Sequence, residues 1–348
     1  MSELSIDLLA RRVQHNCDIA DARHGANYSM CVYLMKMREY FRWEKRYGVN
    51  APLPKDEVGP WLAARELRWS EIDENDYQAL PLGDLDVAPF DSETVNSALI
   101  PKGFVYSAGL GLQAAEHFFL AELERLETHG DFTIHLAGRE LARDLTSPPA
   151  MSQGRNIFLR REAFRRLLWE RIETWRWNRA DNAMGRAIAA YPFESDDDAA
   201  LDAMTDAELN AALQHEIGEI RAGELLGNDA WHDMLMQISH TPAELIARSV
   251  RDHLADALVT LPALLDAGNA PSIHFYVGNL TNMRKHLFPS LVDAYEQWRI
   301  SADDRPLRAL VDRAQGHWQE LATTLLALHA EYGPDADMLV KAAESRHL

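Results

Sequence analysis

Apolar residues recur every three to four positions through most of the chain, with charged residues filling the positions between. That is the spacing of helices that bury one stripe and turn the rest to water. It predicts helices over 4–24, 27–47, 57–80, 109–128, 136–145, 155–190, 205–226, 229–239, 242–267, 271–299, 304–331 and 335–346. Ala, Leu, Glu and Arg, all good helix formers, dominate these stretches. Strand-like runs are confined to Phe132-Thr133-Ile134 and the residues around Phe104-Val105-Tyr106. The expected fold is all-α: a multi-helix bundle of ten or more helices with no substantial sheet.

Thr205-Asp206-Ala207-Glu208 and Thr241-Pro242-Ala243-Glu244 read as capping boxes, and Gly268 as a helix stop. The acidic stretch from Pro192 to Asp198 is the clearest boundary. It divides an N-terminal helical region, 1–190, from a C-terminal helical bundle, 200–348, that carries the candidate site. One continuous domain around a shared core is the alternative.

Composition narrows the function. The 348 residues hold 35 Lys and Arg against 54 Asp and Glu, a net charge of −19, with 47 % hydrophobic residues. This is a globular balance, and so anionic a surface argues against nucleic acid, whose phosphates need cations. No apolar run reaches membrane-spanning length; the best, Ala255 to Leu265, is broken by Asp256, Thr260 and Pro262. Two cysteines make no disulfide framework, and Met1-Ser2-Glu3 opens no secretory pattern, so the expected location is cytoplasmic.

The candidate chemistry lies in two helices. In the first, Leu209, Leu213, Ile217 and Ile220 form an apolar stripe, Glu216 projects into it, and His215 lies one turn before Glu219. A carboxylate in an apolar stripe is costly unless paired or bound to a cation. In the second, at least two of Asp252, His253 and Asp256 share a face, away from the main apolar stripe, and Pro262 deprives the carbonyl of Leu258 of its donor. The two helices offer His215, Glu216, Glu219, Asp252 and Asp256 as metal ligands, with Glu216, His253 and, from the start of the following helix, His274 as acid–base groups. Such donors suit iron, manganese or zinc. The spacing is not the Glu-x-x-His of di-iron bundles, and position 219 is a Glu where a zincin needs a second His. The competing reading pairs the same acids with arginines.

Other features admit plainer readings. Cys17, Asp21, His24, Tyr28 and Cys31 share a face of the first predicted helices, as buried thiols and core would. Glu116-His117 is a further candidate pair. Eight arginines from Arg155 to Arg179 read either as an oxyanion clamp or as ion-paired helix surface.

The segments His215–Glu219, Asp252–Pro262, Asn282–Pro289, Cys17–Asp21 and Tyr40–Glu44 resemble a family of uncharacterised conserved hypothetical proteins from bacteria. That resemblance implies no activity. The residues themselves lead to a metal-dependent enzyme of unknown substrate, or to a non-catalytic helical protein that binds a partner or a small ligand. An arginine inserted among the acids favours the second.

Overall fold

The computed structural model describes residues 4–348 and divides into two compact units. The first comprises Met1–Met151 and Phe158–Glu170, the second Ser152–Ile157 and Arg171–Leu348. The acidic stretch 192–198 falls inside the second.

The first unit corrects the all-α expectation. Helices α1 (Ile6–His24), α2 (Met30–Lys45) and α3 (Lys55–Ile72) come first. A small antiparallel pair follows, β1 (Leu80–Leu82) and β2 (Leu85–Val87), and then α4 (Ser92–Leu99). Next come β3 (Phe104–Leu110), β4 (Glu116–His129), β5 (Phe132–Arg143), β6 (Ala150–Gln153) and β7 (Asn156–Arg160), before α5 (Arg161–Asn178). The last five strands form one curled, mixed sheet in the order β3-β4-β5-β7-β6. Helix α1 starts at Ser5, whose side chain accepts from the Leu8 amide, and buries Leu9, Val13 and Cys17 against Phe118 and Leu120 of β4.

The segments 109–128 and 136–145, predicted as helices, are largely β4 and β5. The reason is burial on both faces. Phe118 and Leu120 enter the core under α1, whereas Phe119 and Ala121 pack with Val105, Ala137 and Phe158 on the opposite side. A strand covered on both faces has no polar alternation and reads as a continuous apolar run. The other half of β4, Glu122-Leu123-Glu124-Arg125-Leu126-Glu127, is built of helix formers and is largely exposed. Its strand conformation comes from pairing with β5. The turn did carry a signal: Gly130-Asp131 joins His129 to its partner Phe132, and Gly130 adopts φ +62°.

The second unit is helical apart from its short strand segment: α6 (Ala183–Ile188), α7 (Asp197–Leu226), α8 (Asn228–Gln237), α9 (Pro242–Ala255), α10 (Leu261–Ala267), α11 (Ala270–Asn279), α12 (Asn282–Leu287), α13 (Pro289–Ser301), α14 (Arg305–Tyr332) and α15 (Ala336–Glu344). Its core gathers Trp231, Val250, Leu254, Trp318 and Leu321. Between α9 and α10 the chain makes a π-helical turn, Asp256–Thr260, in which the Leu261 amide reaches back five residues to the Asp256 carbonyl. Pro262 follows directly, so the irregularity expected from the missing N–H is present as this widened turn.

Helix α7 begins at Asp196, whose side chain caps the amides of Asp198 and Ala199. Thr205 and Glu208, predicted as a helix start, are therefore interior and fully buried. Farther along, Gly218 lets α7 press on α9. A Cβ there would lie 2.4 Å from the Ala255 carbonyl oxygen.

Candidate functional site

This close approach sets His215, one turn before Gly218, beside Asp256, the residue after Ala255. The His215 imidazole Nδ1 lies 2.8 Å from Asp256 Oδ1. Thr260 Oγ1 donates to the same oxygen at 2.7 Å. Tyr276, from α11, donates its hydroxyl to Oδ2 at 2.9 Å, and Arg284, from α12, forms a charged hydrogen bond to that oxygen. A carboxylate has about four lone-pair sites, and four donors occupy them here. Burial alone would push Asp256 up; Arg284 and His215 override it and hold the group far below the usual carboxylate range. Burial likewise disfavours a charged His215, but Asp256, with Asp252 and Glu219 behind it, raises its pKa to about 10. Near neutral pH the imidazole is a cation.

Glu219 is held by a second arginine: Arg251 Nε lies 2.9 Å from its Oε2, and Arg251 Nη2 donates to the Glu219 carbonyl and to Asn228 Oδ1. Asp252 is about one-third exposed, with Arg284 Nε at 4.0 Å. Glu216 is buried, accepts a hydrogen bond from Ser152, and has its pKa raised to about 7 by burial and by Glu219, against the pull of His215. One ligand atom each from His215, Glu219 and Asp252 lies within 4.8 Å of the others. The structure thus gathers the candidate ligands and threads Arg284 and Arg251 among them.

Of the two remaining candidates, His253 borders the network, its Nδ1 lying 3.5 Å from Arg284 Nη2. His253 is buried, stacks on Trp318 and bonds the Arg284 carbonyl through Nε2 at 3.0 Å. Burial and Arg284 push its pKa well down, which favours the neutral imidazole. His274 bonds the Tyr295 hydroxyl at 2.9 Å and packs on Trp298. In the first unit, Glu116 pairs with His24 at 2.6 Å and His117 sits 3.4 Å from Asp144. Cys17 is buried and Cys31 exposed, and both are free thiols.

Sequence reasoning misses Thr260, Tyr276 and Arg284, which lie on one π turn and two later helices and share no periodic pattern with His215. It also misses Glu208, fully buried between Ser272 and Tyr191, which burial raises to about 7. Another metal-compatible trio, His286, Glu344 and His347, is exposed, with both imidazoles on Glu344.

Beside the Asp256 network lies an open cleft of about 610 Å³, lined by Ser152, Ile220, Asn228, Asp229, Asp233 and Arg251 among others. Ser152 and Arg251 are the residues that bond Glu216 and Glu219. Among the described residues no helix is long and apolar enough to cross a membrane.

No curated protein and no solved structure matches the chain. Two family models do: the N-terminal domain of a family of unknown function, DUF6866, over residues 8–160, and the C-terminal domain of the same family over residues 165–346. The chain belongs to family DUF6866.

Proposed function

We propose that the chain is a non-catalytic binding protein whose second unit takes a small polar molecule carrying a basic group. The observation that carries this reading is Arg284 seated on Asp256. With Asp256 saturated, His215 protonated and Glu219 paired to Arg251, the acids are neutralised from within the protein. A metal at His215 would have to displace a proton that Asp256 holds there. The network is then a rigid wall, and the adjoining cleft is the ligand's place. Its volume lies in the range of small-molecule sites. Its rim offers Asp229 and Asp233, while the charge of Arg251 is matched by Glu219, so a cationic group is the complementary partner.

Calorimetry with a panel of diamines, guanidinium compounds and matched carboxylates tests this reading. Saturable binding of a cationic compound, lost in the Asp229→Asn/Asp233→Asn variant, supports it. Stoichiometric iron, manganese or zinc in the native protein, removed by Asp256→Ala, would overturn it in favour of a metal-dependent enzyme.

A further inference from the structure

A second, unassigned pocket lies wholly in the first unit. It is small, about 40 Å³, room for roughly three waters or one compact ion by the usual allowance per water. Lys36 and Glu39 of α2, Arg143 at the end of β5, Thr146 and Ser147 of the following loop, and Arg166 and Glu170 of α5 line it. Three cations thus face two carboxylates. Glu39 is already engaged by Arg38 at 2.8 Å and by Arg42 at 3.3 Å. Arg143 is 5 % exposed, and its Nη1, 3.8 Å from Glu140 Oε2, has no hydrogen-bond partner. Arg166 spends Nη2 on Glu162, and its buried Nε also has no hydrogen-bond partner. Lys36 sits 5.2 Å from the Tyr28 ring centroid.

The wall of this pocket is built rather than incidental. Ser147 adopts φ +45°, a left-handed conformation unfavourable for a non-glycine residue and more so before a proline. The Ser147 amide donates to Asp144 Oδ1 at 2.5 Å, and Arg160 Nη2 donates to Ser147 Oγ at 2.8 Å. Arg160, fully buried, also bonds Glu140 and the Pro148 carbonyl. The strained loop is thereby fixed against the cationic side chains. Buried donors without acceptors are costly, and an oxyanion would supply acceptors to both guanidinium groups at once.

We propose that this pocket binds a small oxyanion of the phosphate class, either inorganic phosphate or the phosphate end of a metabolite. Burial disfavours a charged Lys36 more than Glu170 favours it, with Arg143 adding to the effect, and burial and Arg143 likewise disfavour Arg166; a bound anion would favour the charged form of both. The oxyanion-clamp reading of the arginine-rich segment thus narrows to Arg166, joined by Lys36 and Arg143 from other elements.

The test is calorimetry of the full chain with inorganic phosphate and with a phosphomonoester, against chloride at equal ionic strength. Lys36→Met and Arg166→Gln are assayed in parallel, and circular dichroism checks each fold. One saturable phosphate site, weakened by about tenfold or more in both folded variants, supports the proposal. Tighter binding of the monoester assigns the metabolite source, and equal or tighter binding of inorganic phosphate assigns the free ion. Absence of saturable binding in the native chain overturns the proposal, as does affinity unchanged in either folded variant.

Discussion

His215 Nδ1 stands 2.8 Å from Asp256 Oδ1, joining α7 to the π-helical turn that ends α9. The pair is an ion pair at neutral pH, because its imidazole pKa is raised from 6.5 to about 10 against the effect of burial. A raised folded-state pKa gives stability that is fully present below the unfolded value and lost as pH climbs through the folded one.

Urea unfolding followed across pH should therefore show stability declining from about pH 6.5 to about pH 10. In His215→Gln that component of the decline disappears, and the variant is weaker near neutral pH by about 1.5–3 kcal/mol, the range for hydrogen bonds to charged groups. Asp256→Asn leaves Arg284 buried without its counter-charge and should cost about 3–5 kcal/mol. An alkaline decline unaltered in His215→Gln would disprove the pairing.

Glu216 behaves oppositely to an ordinary carboxylate. Burial, aided by Glu219, raises its pKa from 4.5 to about 7, so its favourable contribution is complete below pH 4.5 and lost as pH rises to about 7. Glu216→Gln should be near neutral at acid pH and stabilising by about 1–3 kcal/mol in mild alkali. Paired denaturation curves at the two pH values decide it; equal effects at both would contradict the shifted titration.

Gly218→Ala tests the approach of α7 to α9. A helical Gly→Ala change ordinarily stabilises by about 0.5–1 kcal/mol, and Gly316→Ala in α14, with nothing within 4 Å, should do so. At position 218 the new Cβ meets the Ala255 backbone oxygen at 2.4 Å, which cannot swing aside. The expected result is destabilisation of about 1–3 kcal/mol or more. Melting curves of the two variants should move in opposite directions.

Arg160→Met leaves Glu140, fully buried, without its principal partner and should cost about 3–5 kcal/mol. Adding Glu140→Leu should recover part of that loss in chemical denaturation. A double variant no more stable than the single one would mean that the bonds to Ser147 and Pro148 matter more than the charge pair.

A thiol reagent should modify Cys31 rapidly and Cys17 only on unfolding. Cys31 is exposed, whereas Cys17 is buried, bonds the Phe118 carbonyl and has its thiol pKa pushed up by burial and Asp144. Two fast thiols in the native state would contradict the packing of α1 on β4.

The helical character of the second unit is legible in the sequence, but not every break: the single helix expected over 271–299 is α11, α12 and α13, and the one expected over 155–190 is β7, α5 and α6. The central sheet is not legible, since β4 hides two apolar faces and then continues in helix-forming residues that pairing alone holds extended. The site is legible in part. Glu216, Glu219 and His215 stand out on or beside an apolar stripe, Asp256 by its spacing from Asp252 and His253, and Pro262 marks the irregular turn. Arg284 and Tyr276 could not be assigned to Asp256, because 28 and 20 residues separate them from it and only the packing of α11 and α12 brings them there.

The π-helical turn at Asp256–Thr260 also shifts the sequence pattern between two lengths of regular helix. One residue more than an α turn needs is wound in, and each residue advances the helix by about 100°. The wider turn absorbs that residue, so the apolar stripe resumes one position later in the sequence while the helix beyond keeps nearly the same phase. Deleting Val259 should therefore return the stretch to regular α-helix and leave α10 and α11 close to their places. The residue count here can give by one, whereas Asp256 and Thr260, which sit in the buried network, cannot be exchanged.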